Sequence, residues 1–219
     1  MTFIHSFLQL AELFAPVQRA ILAGKNRELT LERAIVRAMT NVDGETWYNQ
    51  FNVASGIAGS HSDRKTSVDL VRHVHATDEY TFIELKDWKA TDSPLRVLYE
   101  IVCYGMMFNH VKRLLQNTHQ SRYQGHMLRM DKIRLAAMLP EVWAKQYRNR
   151  EYAIPPEQVF HFAALGLVEA QKSDARLLPG VLINPTIYYL REYRHDQLAD
   201  LLNQNEKIRA WVLGAVNQA

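Results

Sequence analysis

The first forty residues carry apolar side chains at the three- and four-residue spacing of amphipathic helices. This pattern predicts a helix over residues 3–23, which Pro16 kinks or divides. It predicts a second helix over residues 28–40, ended by the turn-forming stretch 41–44. The residues that would face inward from the second helix are Leu31, Ala34, Ile35 and Ala38.

From residue 47 the spacing changes to that of strands, with aromatic and β-branched residues in short runs. Gly and Ser residues at 54–64 predict a loop, and residues 77–79 predict a turn. Strands are predicted at 47–57, 66–76 and 80–88. A helix is predicted over 95–115, because Asp92 or Ser93 can cap it and Pro94 suits its first turn.

The rest of the chain alternates further apolar runs with polar ones. Strands are predicted at 132–138, 159–168 and, as a short one, 181–183, followed by one or two helices over 186–216. This order of elements predicts an α/β (α+β) domain with a mixed central sheet. We expect one domain over residues 1–219, with a core at about 26–170, an N-terminal helix at 1–25 and a C-terminal helical extension at 171–219.

Composition narrows the class of protein. The chain has 219 residues, 47% of them hydrophobic, which is enough for a sizeable core. Its one cysteine excludes an internal disulfide and a multi-cysteine zinc site. No apolar run approaches the ~20 residues that span a bilayer, and the first twenty residues are typical of an amphipathic helix rather than a signal peptide. We therefore expect a cytoplasmic protein with no membrane partner.

Candidate chemistry lies in the second and third predicted strands. Because residues two apart in a strand share a face, Glu84 and Lys86 should project together, with Ile83 and Leu85 on the other face. If the two strands form a hairpin, Asp69 approaches Glu84. Two converging carboxylates suit a hard cation such as Mg²⁺, and a lysine beside them can position a water and stabilise charge on a phosphate. The set is suited to hydrolysis of a phosphodiester.

An ordinary structural explanation exists for the same residues. Glu-x-Lys is frequent on half-exposed strands, where such an ion pair contributes little to stability. However, Asp69 lies between the apolar residues Val68 and Leu70, where a charge without a partner is costly. These surroundings favour a functional site.

Asp69, Glu84-Leu85-Lys86 and the helix that follows them resemble the PD-(D/E)XK nuclease superfamily, which has the restriction-endonuclease-like fold: a mixed central sheet flanked by helices. The resemblance implies that Asp69, Glu84 and Lys86 are catalytic, and that the two carboxylates hold Mg²⁺ or Mn²⁺. Val68 stands where the family name has a proline.

The resemblance covers residues 28–110 well and also implies supporting residues. The family's N-terminal helix often contributes another glutamate to the metal site, for which Glu32 is the better candidate and Glu28 the weaker. A Gln or Glu followed four residues later by a Tyr often lies on the helix after the catalytic strand, and Glu100 and Tyr104 match that spacing. Many enzymes of this fold cut two strands as dimers, so a homodimer is a further expectation.

Charge is unevenly distributed along the chain. The whole chain has a net charge of +3, whereas residues 112–150 hold nine basic and two acidic residues. The proposed nucleic-acid-binding residues are Lys112, Arg113, Arg122, Arg129, Lys132 and Arg134. The aromatic residues of this segment, Tyr123, Trp143 and Tyr147, can stack on bases or belong to the core. A solvated basic face is the alternative explanation for the charge.

Three functions follow, in order of preference. The first is a metal-dependent nuclease that hydrolyses DNA. The second is a catalytically inactive nucleic-acid-binding or assembly module on the same fold. The third is a phosphohydrolase with a small substrate, although the glycines at 55–60 fit no nucleotide-binding loop.

Overall fold

A computed structural model describes eight stretches of the chain: residues 27–40, 42–52, 67–118, 130, 132–148, 154–173, 181–191 and 204–218. The helices in these stretches are α1 (Arg27–Met39), α2 (Pro94–Thr118), α3 (Glu141–Arg148), α4 (Pro156–Ser173) and α5 (Asn205–Val216). The strands are β1 (Glu45–Asn52), β2 (Ser67–Val74), β3 (Glu79–Leu85), β4 (Lys132–Pro140) and β5 (Val181–Leu190).

The five strands form one mixed sheet in the order β1-β2-β3-β4-β5. The first three are antiparallel neighbours, with Val71 opposite Phe82 between β2 and β3. The β3–β4 and β4–β5 pairs are parallel, so each needs a crossover. Helix α2 supplies the first crossover, and α3 with α4 supplies the second. The predicted α+β class with a mixed sheet flanked by helices is confirmed.

Both faces of the sheet are covered, so the central strand β3 is buried along almost its whole length, although it carries Thr81 and Glu84. On one face, α1 and α5 pack together over side chains of β2 and β3, including Leu70, Ile83 and Leu85. On the other face, α2, α3 and α4 cover a second cluster built around Phe82 and Phe108. The sheet therefore separates two hydrophobic layers.

Most elements of the first half match the sequence pattern. The helix predicted at 28–40 is α1, and the helix predicted at 95–115 is α2. The backbone N–H of Arg96 donates to Ser93 Oγ at 3.2 Å, so Ser93 caps α2 as predicted. The strands predicted at 66–76 and 80–88 are β2 and β3. The helix predicted at 3–23 lies outside the described residues.

The strand predicted at 159–168 is wrong, because these residues belong to helix α4. The buried Phe160 and the partly buried Ala163 and Leu167 recur at helical spacing toward the core, whereas Phe162 and Leu165 are exposed. Periodicity in so short an apolar run does not separate a buried strand from a helix.

None of the helices in the described stretches is both long and apolar enough to cross a bilayer.

The prediction for the C-terminal part is also wrong in its first section. Residues 181–190 form β5, a full strand paired to β4, instead of a three-residue strand followed by a helix from 186. The aromatic and β-branched residues Thr186, Ile187 and Tyr188 favour a strand locally. The region 171–219 is therefore not a helical extension, because it supplies an edge strand of the sheet before α5 begins at Asn205.

We predict that the layer covered by α3 is essential to stability. Trp143 is fully buried there, so Trp143→Ala should lower the free energy of unfolding by about 3–5 kcal/mol. The control is Lys145→Ala on the same helix, whose side chain is 57% exposed and which should change stability by less than about 0.5 kcal/mol. Urea unfolding followed by circular dichroism measures both. Equal effects of the two substitutions would contradict the packing described.

Candidate active site

The ends of β2 and β3 carry the predicted carboxylates. Leu70 pairs with Ile83, so the antiparallel register places Asp69 opposite Glu84 one step further along. Next to this position the backbone N–H of Leu85 donates to Asp69 Oδ2 at 2.9 Å. The Asp69 carboxylate is thereby held against the end of β3.

Lys86 contacts the second carboxylate, that of Glu84, and completes a carboxylate–lysine cluster of Asp69, Glu84 and Lys86. Its Nζ lies 2.5 Å from Glu84 Oε1, and both side chains are almost completely buried. Ile83 and Leu85 lie in the opposite layer, so the predicted sharing of faces is confirmed. The structure thus brings together Asp69, Glu84 and Lys86. Their catalytic roles stay predictions.

Helix α2 adds the residues that were expected to support the cluster. Glu100 Oε2 accepts from Lys86 Nζ at 3.2 Å, while its Oε1 accepts from Arg96 Nε at 2.6 Å. Partial burial opposes ionisation of Glu100, but Lys86 and Arg96 lower its pKa below the ordinary value. Burial, and then the charges of Glu84 and Asp69, raise the pKa of Tyr104. Both residues therefore lie beside the carboxylate–lysine cluster.

Helix α1 approaches the cluster from the other layer. Burial raises the pKa of Glu32 to about 7, and the charges of Asp69 and Glu28 act in the same direction. Burial is also the largest cause of the raised pKa of Glu28, whose Oε1 accepts from the backbone N–H of Asp87 at 3.4 Å. The two glutamates named from the sequence thus share an electrostatic environment with Asp69.

Gln50 is a residue of this site that sequence reasoning missed. Its Nε2 donates to Glu32 Oε2 at 2.7 Å, and its Oε1 accepts from Ser67 Oγ at 3.0 Å. It lies on β1 between the residues that pair with Leu70 and Val68, and its φ of 49° is in the left-handed region. Its position opposite Asp69 follows from strand register, for which the sequence carries no local signal.

The cluster buries more acidic than basic side chains. Burial raises the pKa of Asp69 and, together with the charge of Asp69, that of Glu84. Burial disfavours the ammonium of Lys86, yet Glu84, Glu28 and Glu100 outweigh it and raise the pKa of the lysine. Such buried titrating groups are costly for folding and concentrate at functional sites.

The donor chemistry of the cluster fits a hard divalent cation. Carboxylate oxygens of Asp69, Glu84 and Glu32 are the ligands such ions prefer. Glu84 Oε2 is buried, and no residue in the described part of the chain forms a hydrogen bond with it. Within the described stretches, however, no three His, Cys, Asp or Glu side chains are already arranged to hold a metal ion. The ammonium of Lys86 instead contacts the other oxygen of Glu84.

A polar cleft of about 310 Å³ opens beside the cluster, lined by Arg27, Glu28, Asp87, Lys89, Ala90, Thr91 and Asp92. It adjoins the cluster through Glu28 and through Asp92, whose Oδ2 lies 3.7 Å from Lys86 Nζ. Its wall is braced by an ion pair of 2.6 Å between Arg27 and Asp87. The cleft therefore lies next to the cluster, although neither Asp69 nor Glu84 lines it.

The structure describes only part of the proposed nucleic-acid surface. Lys112 Nζ donates to the carbonyl of Met130 at 2.8 Å, and Arg134 forms an ion pair with Glu79. The side chains of Arg113, Arg122, Arg129 and Lys132 lie outside the described set. Trp143 and Tyr147 are buried, so the interpretation of these two as base-stacking residues is wrong.

Comparisons with known proteins add no relative. The chain matches no protein-family model, no curated protein and no solved structure. The site is therefore interpreted from its own geometry and from the sequence motif.

We predict that the buried carboxylates make the protein less stable at alkaline pH. The folded-state pKa of Glu32 is raised from 4.5 to about 7, so its contribution to stability is complete below about pH 4.5 and is lost as pH rises through 7. Glu32→Gln imitates the protonated form and should be more stable than wild type by about 1–3 kcal/mol at pH 8.5, and equal to it near pH 4.5.

Unfolding by urea at both pH values measures this difference. The control is Glu206→Gln, at a side chain that is 82% exposed, and it should leave the pH dependence of stability unchanged. Destabilisation by Glu32→Gln at pH 8.5 would show that the carboxylate is needed in its charged form for folding.

Proposed function

We propose that the protein is a metal-dependent nuclease of the restriction-endonuclease-like fold that hydrolyses phosphodiester bonds in DNA. The observation that carries the proposal is the buried meeting of Asp69, Glu84 and Lys86 at the adjacent ends of β2 and β3. Glu84 Oε2 is buried and has no hydrogen-bond partner among the described residues, which supports a cation as its partner. The mixed sheet flanked by helices supports the fold.

In the proposed reaction the acidic residues and Lys86 have separate roles. Asp69, Glu84 and Glu32 would hold Mg²⁺ or Mn²⁺, which when bound polarises a phosphoryl oxygen and lowers the pKa of water. Lys86 would position the attacking water and stabilise the negative charge that develops on the phosphate. The Leu85 N–H keeps the Asp69 carboxylate directed at the end of β3.

Glu100 and Tyr104 would act on Lys86 and the carboxylates rather than on the substrate. Glu100 bridges Lys86 to Arg96, which fixes the lysine against α2. Tyr104 keeps its proton because burial and the neighbouring carboxylates raise its pKa. A neutral hydroxyl can donate a hydrogen bond to a carboxylate without adding charge.

DNA is the proposed substrate because nine basic and two acidic residues lie in 112–150. Lysine and arginine side chains bind the phosphate backbone without reading sequence. Cleavage of both strands would be served by a homodimer, which light scattering of the free protein and its DNA complex would detect.

We predict cleavage of duplex DNA in the presence of Mg²⁺ or Mn²⁺ and its loss on chelation. Glu84→Gln and Lys86→Ala should each lower the rate by about 100-fold or more, because they remove the proposed metal ligand and the water-positioning cation. Gel assays on plasmid, linear duplex, single-stranded DNA and RNA measure the rates and identify the substrate.

The matched control for these variants is Glu206→Gln, an exposed change on α5 that should cleave at the wild-type rate. Activity that survives both site substitutions, in protein free of contaminating nuclease, would contradict the proposed site. Cleavage of RNA alone would retain the site and change the substrate.

One observation favours the inactive binding module as a second candidate. Lys86 already supplies a positive charge to Glu84 and Glu100, so part of the cluster's negative charge is neutralised without a metal ion. In that case the protein would bind DNA through its basic surface without cutting it, and Mg²⁺ would not bind at Glu84.

We predict salt-sensitive DNA binding under both functions, because phosphate contacts release counterions. Arg113→Gln and Arg129→Gln should each weaken binding and reduce the slope of log affinity against log salt by about 1. Lys172→Gln, at an exposed side chain on α4, is the control. Fluorescence anisotropy from 50 to 200 mM salt measures the slopes, and slopes that are equal in all variants would remove both arginines from the interface.

A further inference from the structure

The ammonium of Lys86 lies among three carboxylates at graded distances. Its Nζ is 2.5 Å from Glu84, 3.2 Å from Glu100 and 3.7 Å from Asp92. The first two contacts are charge-assisted hydrogen bonds, whereas the third is an ion pair just beyond hydrogen-bond length. The shortest contact of the lysine is therefore with Glu84, which the proposed function needs as a metal ligand.

A divalent cation would compete with the ammonium of Lys86 for the carboxylate of Glu84. A cation bound to Glu84 would meet the charge of Lys86 in a buried setting, where charges a few ångströms apart interact far more strongly than in water. The conflict is relieved if the ammonium moves away from Glu84 and stays paired, because a buried charge without a partner is costly.

We propose that the ammonium of Lys86 is paired with Glu84 as long as no divalent cation is bound. When a cation binds to Glu84, the ammonium moves to Asp92 and Glu100. The inference rests on the proposed function for its metal ligands. It makes Asp92 a positioning residue, which acts on metal binding through Lys86 and not by touching the metal or the substrate.

The surroundings suit Asp92 for this role. Glu100 already shares its other oxygen with Arg96, so it has less capacity to take the whole ammonium charge. The side chain of Asp92 is 40% exposed at the mouth of the cleft, and its backbone carbonyl accepts from Tyr147 Oη at 2.7 Å. Its main chain is thereby anchored to a buried residue, while the flexible stem of Lys86 lets the ammonium turn toward it.

Calorimetric titration of DNA-free protein with Mn²⁺ tests the inference without any activity readout. Lys86→Met should bind Mn²⁺ about 10- to 100-fold more tightly than wild type. The reason is that the charge-assisted hydrogen bond between Lys86 and Glu84 no longer has to be broken when the ion binds. Asp92→Asn should bind more weakly, by about 3- to 10-fold. Lys89→Met, which removes an exposed cation from the same cleft, is the control for general charge and should change affinity by less than about 3-fold.

A double-mutant cycle separates the proposed route from simple loss of negative charge. If Asp92 acts through Lys86, Asp92→Asn should have no effect on Mn²⁺ affinity in the Lys86→Met background. Circular dichroism checks that each variant is folded. If Lys86→Met does not fold, the weaker binding of Asp92→Asn, compared with Asp87→Asn in the same cleft, still decides the role of Asp92.

The outcomes distinguish a failure of the ammonium displacement from a failure of the proposed metal site. Equal Mn²⁺ affinities of wild type and Lys86→Met overturn the displacement and leave the metal site intact. An equal effect of Asp92→Asn in both backgrounds overturns the role of Asp92. Absence of Mn²⁺ binding in every variant overturns this inference together with the proposed metal site.

Discussion

The contact between Lys86 and Glu84 constrains the architecture around it. Both side chains are buried, and removing two charges from water costs several kcal/mol for each ion unless further partners compensate. Glu100 reaches Lys86 from α2, and Glu28 and Glu32 influence the same cluster from α1. Helices from both layers are therefore tied electrostatically to one point on the sheet.

The position of Lys86 links the site to the short segment that connects β3 to α2. Lys86 follows directly after β3, and its N–H donates to the carbonyl of Met138, so the end of β3 stays aligned with β4. Ser93 begins α2 soon afterward, which leaves Glu100 two turns into the helix and within reach of Lys86. Packing of α2 on the sheet and the geometry of the cluster are thus determined by the same short connection.

The sequence allowed the central part of the site to be predicted, because its signals are local. Alternation in β3 places Glu84 and Lys86 on one face, and an antiparallel neighbour brings Asp69 beside them. Gln50 depends on the register of β1, and Asp92 depends on where a loop places it, so neither could be found from spacing. Residues 159–168 were misassigned because a short apolar run fits a strand as well as the buried side of a helix.

The direction of the pKa shifts shows that the buried carboxylates do not stabilise the fold in their charged form. Asp69, Glu84 and Glu32 all have raised pKa values, so each resists the charged form that it must adopt at alkaline pH. Replacing such carboxylates by amides or apolar groups would remove that cost, which makes them poor choices for a purely structural role. The proposed cation site depends on this feature, because a second positive charge beside Lys86 would favour the charged form of all three carboxylates.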